Sequence, residues 1–135
     1  MKGKRFSFIS MPLIYRFNKI AILGVPDIVV FFASKPLYVM EPKTTKRMPY
    51  VWPDSWLQAQ IYAYLLDRMN FDCSKLNVMV ASISQSGEIA KGAFFNELLK
   101  AIIEKGTDDF VRKWKCKMQL EPYYRDLDFV EDKVE

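Results

Sequence analysis

Histidine is absent from the 135 residues, and cysteine occurs only twice, at Cys73 and Cys116, far apart and without CxxC spacing. A zinc site of Cys/His type needs four such ligands, or three and a water, so that class is excluded. Nucleophilic catalysis by Ser-His or Cys-His pairs is excluded in its usual form for the same reason. No apolar run approaches the roughly 20 residues of a membrane-spanning helix. The opening residues are basic and then apolar, but they lack a small-residue cleavage site. The expectation is a cytoplasmic protein without a membrane contact. Any catalysis has to rest on carboxylates, Lys, Tyr or a hard cation held by oxygen.

What is present is the composition of an ordinary globular chain, 50% apolar and 27% charged, with length for one core. Charge is unevenly placed. Residues 1–120 carry 18 Lys and Arg against 10 Asp and Glu, whereas residues 121–135 carry 2 against 6. The division expected is a folded, basic domain over 1–120 and an acidic tail over 121–135. A basic body suits a polyanionic partner, because cations that neutralise phosphates release counterions. A solvated Lys-rich surface gives the same count, so charge alone does not decide.

Along the chain, residues 13–17, 20–32 and 36–43 read as strands rich in β-branched and aromatic residues. Gly24 and Pro26 interrupt the second run and predict a bulge or break there. Short connections between the three predict an antiparallel meander. After a proline-containing loop, Asp54 or Ser55 is placed to cap a helix with a Leu57, Ile61, Leu65 and Met69 stripe. A fourth strand is read at 76–83. A second helix spans about 90–105, from Phe94, Leu98, Leu99, Ile102 and Ile103, and Gly106 ends it. Thr107 starts a short third helix. The order β-β-β-α-β-α predicts an α/β or α+β domain: a central mixed sheet of about four strands flanked by helices.

Chemistry concentrates in the second and third strands. With Ser34 at the centre of their turn, Asp27 and Glu41 are equidistant from it and face each other on one side of the sheet. Lys43, two residues beyond Glu41, points to that side as well. Two facing carboxylates repel unless a cation lies between them, and Mg²⁺ takes a few oxygen ligands plus waters. An isolated E-x-K at the end of a strand is common; joined to G-x-P-D upstream it is far more specific.

Gly24-Val25-Pro26-Asp27, then Glu41-Pro42-Lys43-Thr44-Thr45, then Gln60-Ile61-Tyr62-Ala63-Tyr64 resembles the RecB-like branch of the PD-(D/E)XK nuclease superfamily. That branch includes the nuclease domains of recombination helicases and CRISPR-associated RecB-like exonucleases. The resemblance covers about residues 20–68. It implies a restriction-endonuclease-like core and a Mg²⁺- or Mn²⁺-dependent deoxyribonuclease, an exonuclease or a single-strand-preferring enzyme. Asp27 and Glu41 resemble the metal ligands, with the Pro42 carbonyl as a further one. Lys43 resembles the residue that orients water and stabilises charge on the phosphate, and Gln60 and Tyr64 resemble the helix motif that supports the site. Core packing is the ordinary alternative for Tyr64.

The chain departs from the family pattern in two respects. About a dozen residues precede its first strand, where many relatives have a helix with an extra acidic residue. Trp114-Lys115-Cys116 resembles the start of an iron–sulfur segment in the CRISPR-associated relatives, but the following cysteines are missing. No cluster is expected, since four thiolates are needed. DNA, single-stranded or at its ends, is the expected partner, through Lys46 and Arg47 beside the site and Lys113, Lys115 and Lys117 further on. A homo-oligomer or a recombination or CRISPR-adaptation assembly is the wider setting the resemblance admits. The alternative function is a nuclease-fold subunit that binds nucleic acid, or serves an assembly, without cutting.

Overall fold

The computed structural model describes residues 6–17, 19–84, 97–101 and 114–123. Within them the chain is a mixed α/β fold of seven strands and one long helix. In order these are β1 (Phe6–Ile9), β2 (Leu13–Phe17), β3 (Ile20–Gly24), β4 (Ile28–Phe32), β5 (Lys35–Thr45), α1 (Pro53–Arg68), β6 (Asn77–Ser84) and β7 (Cys116–Pro122). Five strands form one sheet in the order β1-β4-β5-β6-β7, and β2 and β3 form a separate two-stranded ladder. Only β5 and β6 are parallel, joined through α1; the other pairs are antiparallel. Among the described residues no helix is long and apolar enough to cross a membrane.

The break anticipated at Gly24 and Pro26 divides the chain between two ladders, not along one. β3 pairs back with β2, and after Pro26 the chain enters the large sheet as β4. The expected meander of three successive strands is therefore replaced by two hairpins. β5 carries two prolines, each where the strand has a single neighbour. Pro36 lies before the pairing with β6 begins at Tyr38, and Pro42 lies after the pairing with β4 ends at Met40. A residue without an N–H is tolerated where one edge makes no ladder. Beyond Met40 that open edge is where the chemistry-bearing end of β5 lies.

The β4–β5 turn is Ala33-Ser34, flanked by the pair Phe32 and Lys35, and a bulge between Val30 and Phe31 shifts the register. Turn and bulge together bring Ile28 opposite Met40, so the next positions out, Asp27 and Glu41, keep the symmetry about Ser34. Ala33 takes φ 59°, a left-handed conformation more often given to glycine.

α1 begins two residues earlier than capping by Asp54 requires, and three earlier than capping by Ser55. Trp52 is its N-cap, with no side-chain cap bond, and Pro53 occupies the first turn. Proline fits there because its missing N–H would have no helical partner, and Asp54 complements the helix dipole. Asn70, at φ 72°, ends the helix. Residues 62–66 are all buried, more than one amphipathic stripe provides. The cause is a sandwich: α1 packs on β5 and β6 on one side and on β2 on the other. Val39, Val78, Val80, Ala63 and Leu66 belong to the core on this side, with Leu13 from β2. The opposite sheet face packs Val30, Met40, Met79 and Ala81 on Leu98 and Ala101 of the helical residues 97–101.

The C-terminal side holds a strand that the expected order does not include: β7 occupies 116–122, with Lys115 just before it and Lys117 within it, and makes the sheet five-stranded instead of the expected four. Its alternation of Cys116, Met118 and Leu120 with Lys117, Gln119 and Glu121 is a strand signal. The division at residue 120 consequently falls inside a strand. Tyr123 is buried, its N–H donates to the Leu76 carbonyl at 2.8 Å and its hydroxyl donates to Asp67 Oδ2 at 3.2 Å. Phe94, Ile102, Ile103, Gly106, Thr107 and Lys113 lie outside the described residues.

Candidate functional site

At the open edge of β5, Val39 and Met40 belong to opposite core faces, Val39 to the one that packs on α1, and the alternation of the strand puts Glu41 on the side of Val39. Glu41 is only 3% exposed, yet its carboxylate has two partners. The Asp27 backbone N–H donates to Oε2 at 2.8 Å, and the Lys43 ammonium lies 3.7 Å from Oε1. The Asp27 carboxylate is near enough to act on Glu41 electrostatically. Burial pushes the Glu41 carboxyl up to about 7, opposed by the Asp27 N–H and by Lys43 and reinforced by the Asp27 charge. A carboxyl in this state is poised to ionise when a further cation approaches.

Lys43 is held from the other side by the helix. Its Nζ donates to Gln58 Oε1 at 3.0 Å, and Gln58 Nε2 donates to the Tyr62 hydroxyl at 2.9 Å. Desolvation raises the Tyr62 phenol above its usual range, and the Glu41 charge adds to this. Tyr62 in turn closes on the first motif. A Cβ at Gly24 would sit 3.0 Å from Tyr62 Cδ1 and closer still to Cε1, so the absence of a side chain there is what admits the ring. One line of contacts thus runs Gly24–Tyr62–Gln58–Lys43–Glu41–Asp27 and links three separate segments of sequence.

The helix residues in that line are not Gln60 and Tyr64. Gln58-Ala59-Gln60-Ile61-Tyr62-Ala63-Tyr64 contains Q-x-x-x-Y twice, offset by two residues. Two residues turn a helix by about 200°, so the two copies face nearly opposite ways. Gln58 and Tyr62 face the site. Tyr64 is fully buried toward the β2–β3 ladder, edge-on to Tyr15 at 6.5 Å, with the Arg68 guanidinium 5.3 Å from its ring centroid. There it packs in the core, away from the line that reaches Glu41. Gln60 is buried as well. The repeated motif was visible in the sequence; which copy meets β5 was not.

Of the remaining residues, Pro42 is half-buried between Glu41 and Lys43 and pairs with Ala81. Lys46 and Arg47 are exposed on the bend leaving β5, where the Arg47 N–H donates to Thr45 Oγ1 at 3.2 Å. Lys115 is exposed before β7. Lys117 is opposite Ser82, which is itself opposite Lys43. Residues directly across a ladder share a face, so Lys117 and Lys43 stand in one row, about 10 Å apart at two strand spacings. Cys116 packs in the core with its thiol pushed up to about 12 by burial. It suits packing rather than ligation.

Among the described residues, no three Asp, Glu, Cys or His side chains come together as a metal-holding group. What the site offers a cation is two carboxylates and backbone oxygen. Those are hard donors that fit Mg²⁺ or Mn²⁺ completed by waters. Compared with protein families, curated proteins and solved structures, the chain matches none.

Proposed function

We propose that this chain is a metal-dependent nuclease with a restriction-endonuclease-like core of the RecB-like PD-(D/E)XK kind, hydrolysing phosphodiester bonds of DNA in the cytoplasm. The observation that carries the reading is the convergence of G-x-P-D, E-x-K and Q-x-x-x-Y on one buried carboxylate at an open sheet edge. The β4–β5 hairpin and the parallel β5–α1–β6 unit that support it are consistent with such a core. Asp27 and Glu41, with backbone oxygen, would hold Mg²⁺ or Mn²⁺. When bound, the ion supplies a more acidic water and neutralises charge on the scissile phosphate. The chain's own work is orientation. Gln58 fixes the Lys43 ammonium, which stabilises negative charge growing on the phosphate oxygens as water oxygen bonds to phosphorus and the ester oxygen departs with a proton.

A second reading, nucleic-acid binding without cleavage, is favoured by one observation. The Lys43 ammonium already lies beside the Glu41 carboxylate, so the buried carboxylate has a counterion without a metal. Calorimetric titration with Mn²⁺, beside a gel assay on end-labelled single- and double-stranded DNA, separates the two. The nuclease reading expects Mn²⁺ uptake that Asp27→Ala removes. It also expects cleavage that Lys43→Ala lowers by about 10²–10³ while the metal still binds. If the wild type takes up no Mn²⁺ at millimolar concentration and Lys43→Ala gains affinity for it, the chain binds without cutting.

A further inference from the structure

The loop from β5 to α1 presents two large rings to solvent beside the candidate site. Tyr50 is 50% exposed and Trp52 58%, and their rings meet edge-on with centroids 4.7 Å apart. Val51 between them packs against the core, so the rings face out because the backbone is pinned. The Tyr50 N–H donates to Ser82 Oγ at 3.2 Å, and the Trp52 carbonyl accepts the first helical bond from Trp56 at 3.1 Å. Neither ring belongs to a core cluster. Ser82 is the middle member of the row Lys43–Ser82–Lys117. The anchor of the ring pair therefore lies between two cations, and Lys46 and Arg47 stand exposed on the same loop.

We infer that Tyr50 and Trp52 form a stacking platform for unpaired bases of single-stranded nucleic acid, with Lys46, Arg47 and Lys117 tracking its backbone. This rests on the nuclease reading for the position of the cut but not for binding. The chemistry favours a single strand over a protein partner. Exposed Met48, Tyr50 and Trp52 would suit a protein contact as well, but three of the four nearby cations are Lys, which protein interfaces avoid and a polyanion with π-faces attracts. It also favours a single strand over a duplex, whose bases are already stacked and whose edges the rings cannot reach face-on. The Tyr50 N–H is bonded to Ser82, the neighbour of Lys43 across the ladder, so bases held on the platform lie next to the Lys43 site.

The test is fluorescence anisotropy of labelled (dT)₁₂ and of a 12-base-pair blunt duplex in EDTA, so that binding is read without cleavage. Trp52→Ala and Tyr50→Ala should each weaken (dT)₁₂ binding roughly tenfold or more, leave the duplex within about twofold, and leave the salt dependence unchanged; Trp52→Phe should retain most of the affinity. Lys46→Ala with Arg47→Ala should instead lower the salt slope on single strands by about 1.4. Because both rings are outside the core, the variants should melt with the wild type. If both ring variants bind (dT)₁₂ within twofold of wild type, or weaken the duplex equally, the platform is refuted. Sedimentation showing a self-association that Trp52→Ala abolishes, with no (dT)₁₂ binding, would refute it in favour of a protein contact. A chain that cleaves but ignores both rings loses this inference alone. A chain that needs both rings but never cuts keeps it and loses the nuclease reading.

Discussion

The two sides of α1 carry the same residue types at the same spacing and have opposite fates. Gln58 and Tyr62 are drawn into a polar line that ends on Glu41; Gln60 and Tyr64 are buried, Tyr64 in an aromatic cluster with Tyr15 and Arg68. A four-residue spacing guarantees that Gln and Tyr share a helix face. It does not say which way that face points. The helix lies between a sheet and a hairpin, and each side takes one copy of the motif.

The largest expected effect tests the packed side. Tyr64→Ala should destabilise the chain by about 3–5 kcal/mol, as large aromatic truncations in cores do, measured by denaturant unfolding. Tyr62→Phe, which keeps the ring and drops the hydroxyl, should cost far less. Equal losses would erase the distinction between the two sides.

Next comes the charge at the end of the polar line. The folded state holds the Glu41 proton up to about pH 7, whereas an unfolded chain releases it near the ordinary carboxyl range. Between those values the folded chain binds more protons, so stability must fall as pH rises. The loss should be on the order of 3 kcal/mol from below pH 4.5 to above pH 7 without divalent cation. Glu41→Gln should remove this slope in urea melts at stepped pH. A wild-type slope that survives the substitution would locate the titration elsewhere.

Gly24→Ala should cost about 1–3 kcal/mol by crowding the Tyr62 ring, and Tyr62→Leu should recover part of it in a double-mutant cycle. Additive losses would mean that the two motifs do not touch in solution. The smallest and sharpest comparison is between the glutamines. Gln58→Ala should change stability by less than about 0.5 kcal/mol, as an exposed substitution, yet lower DNA cleavage about tenfold by freeing Lys43. Gln60→Ala should do the reverse and cost about 1–2 kcal/mol, with cleavage by the folded fraction kept.

Much of the candidate site was legible because it depends on short-range rules. The symmetry of Asp27 and Glu41 about Ser34 and the period of two that adds Lys43 follow from hairpin geometry, although the route includes a bulge that no residue announces. β7 has a strand's alternation, but Lys113, Lys115 and Lys117 give its start the composition of a solvated basic surface, which masks that pattern. β1, four residues long, is too short to stand out. The separation of β2–β3 from the main sheet had only Pro26 as a cue, and a proline marks an interruption without saying where the chain goes next.

By itself the sequence determined the longer elements and the chemistry available: no imidazole, no thiol pair, one acidic hairpin end, and a helix with two copies of one motif. Those are consequences of composition and of local backbone periods. Only the tertiary structure decided that Gln58 reaches Lys43 and that Tyr64 does not, that Lys117 stands in the row of Lys43, and that Glu41 is buried deeply enough to hold its proton to about pH 7. Each of these depends on the rotation of a helix about its axis or on which strands become neighbours. Those choices are made by non-local packing of α1 between two β layers, and no local pattern carries them.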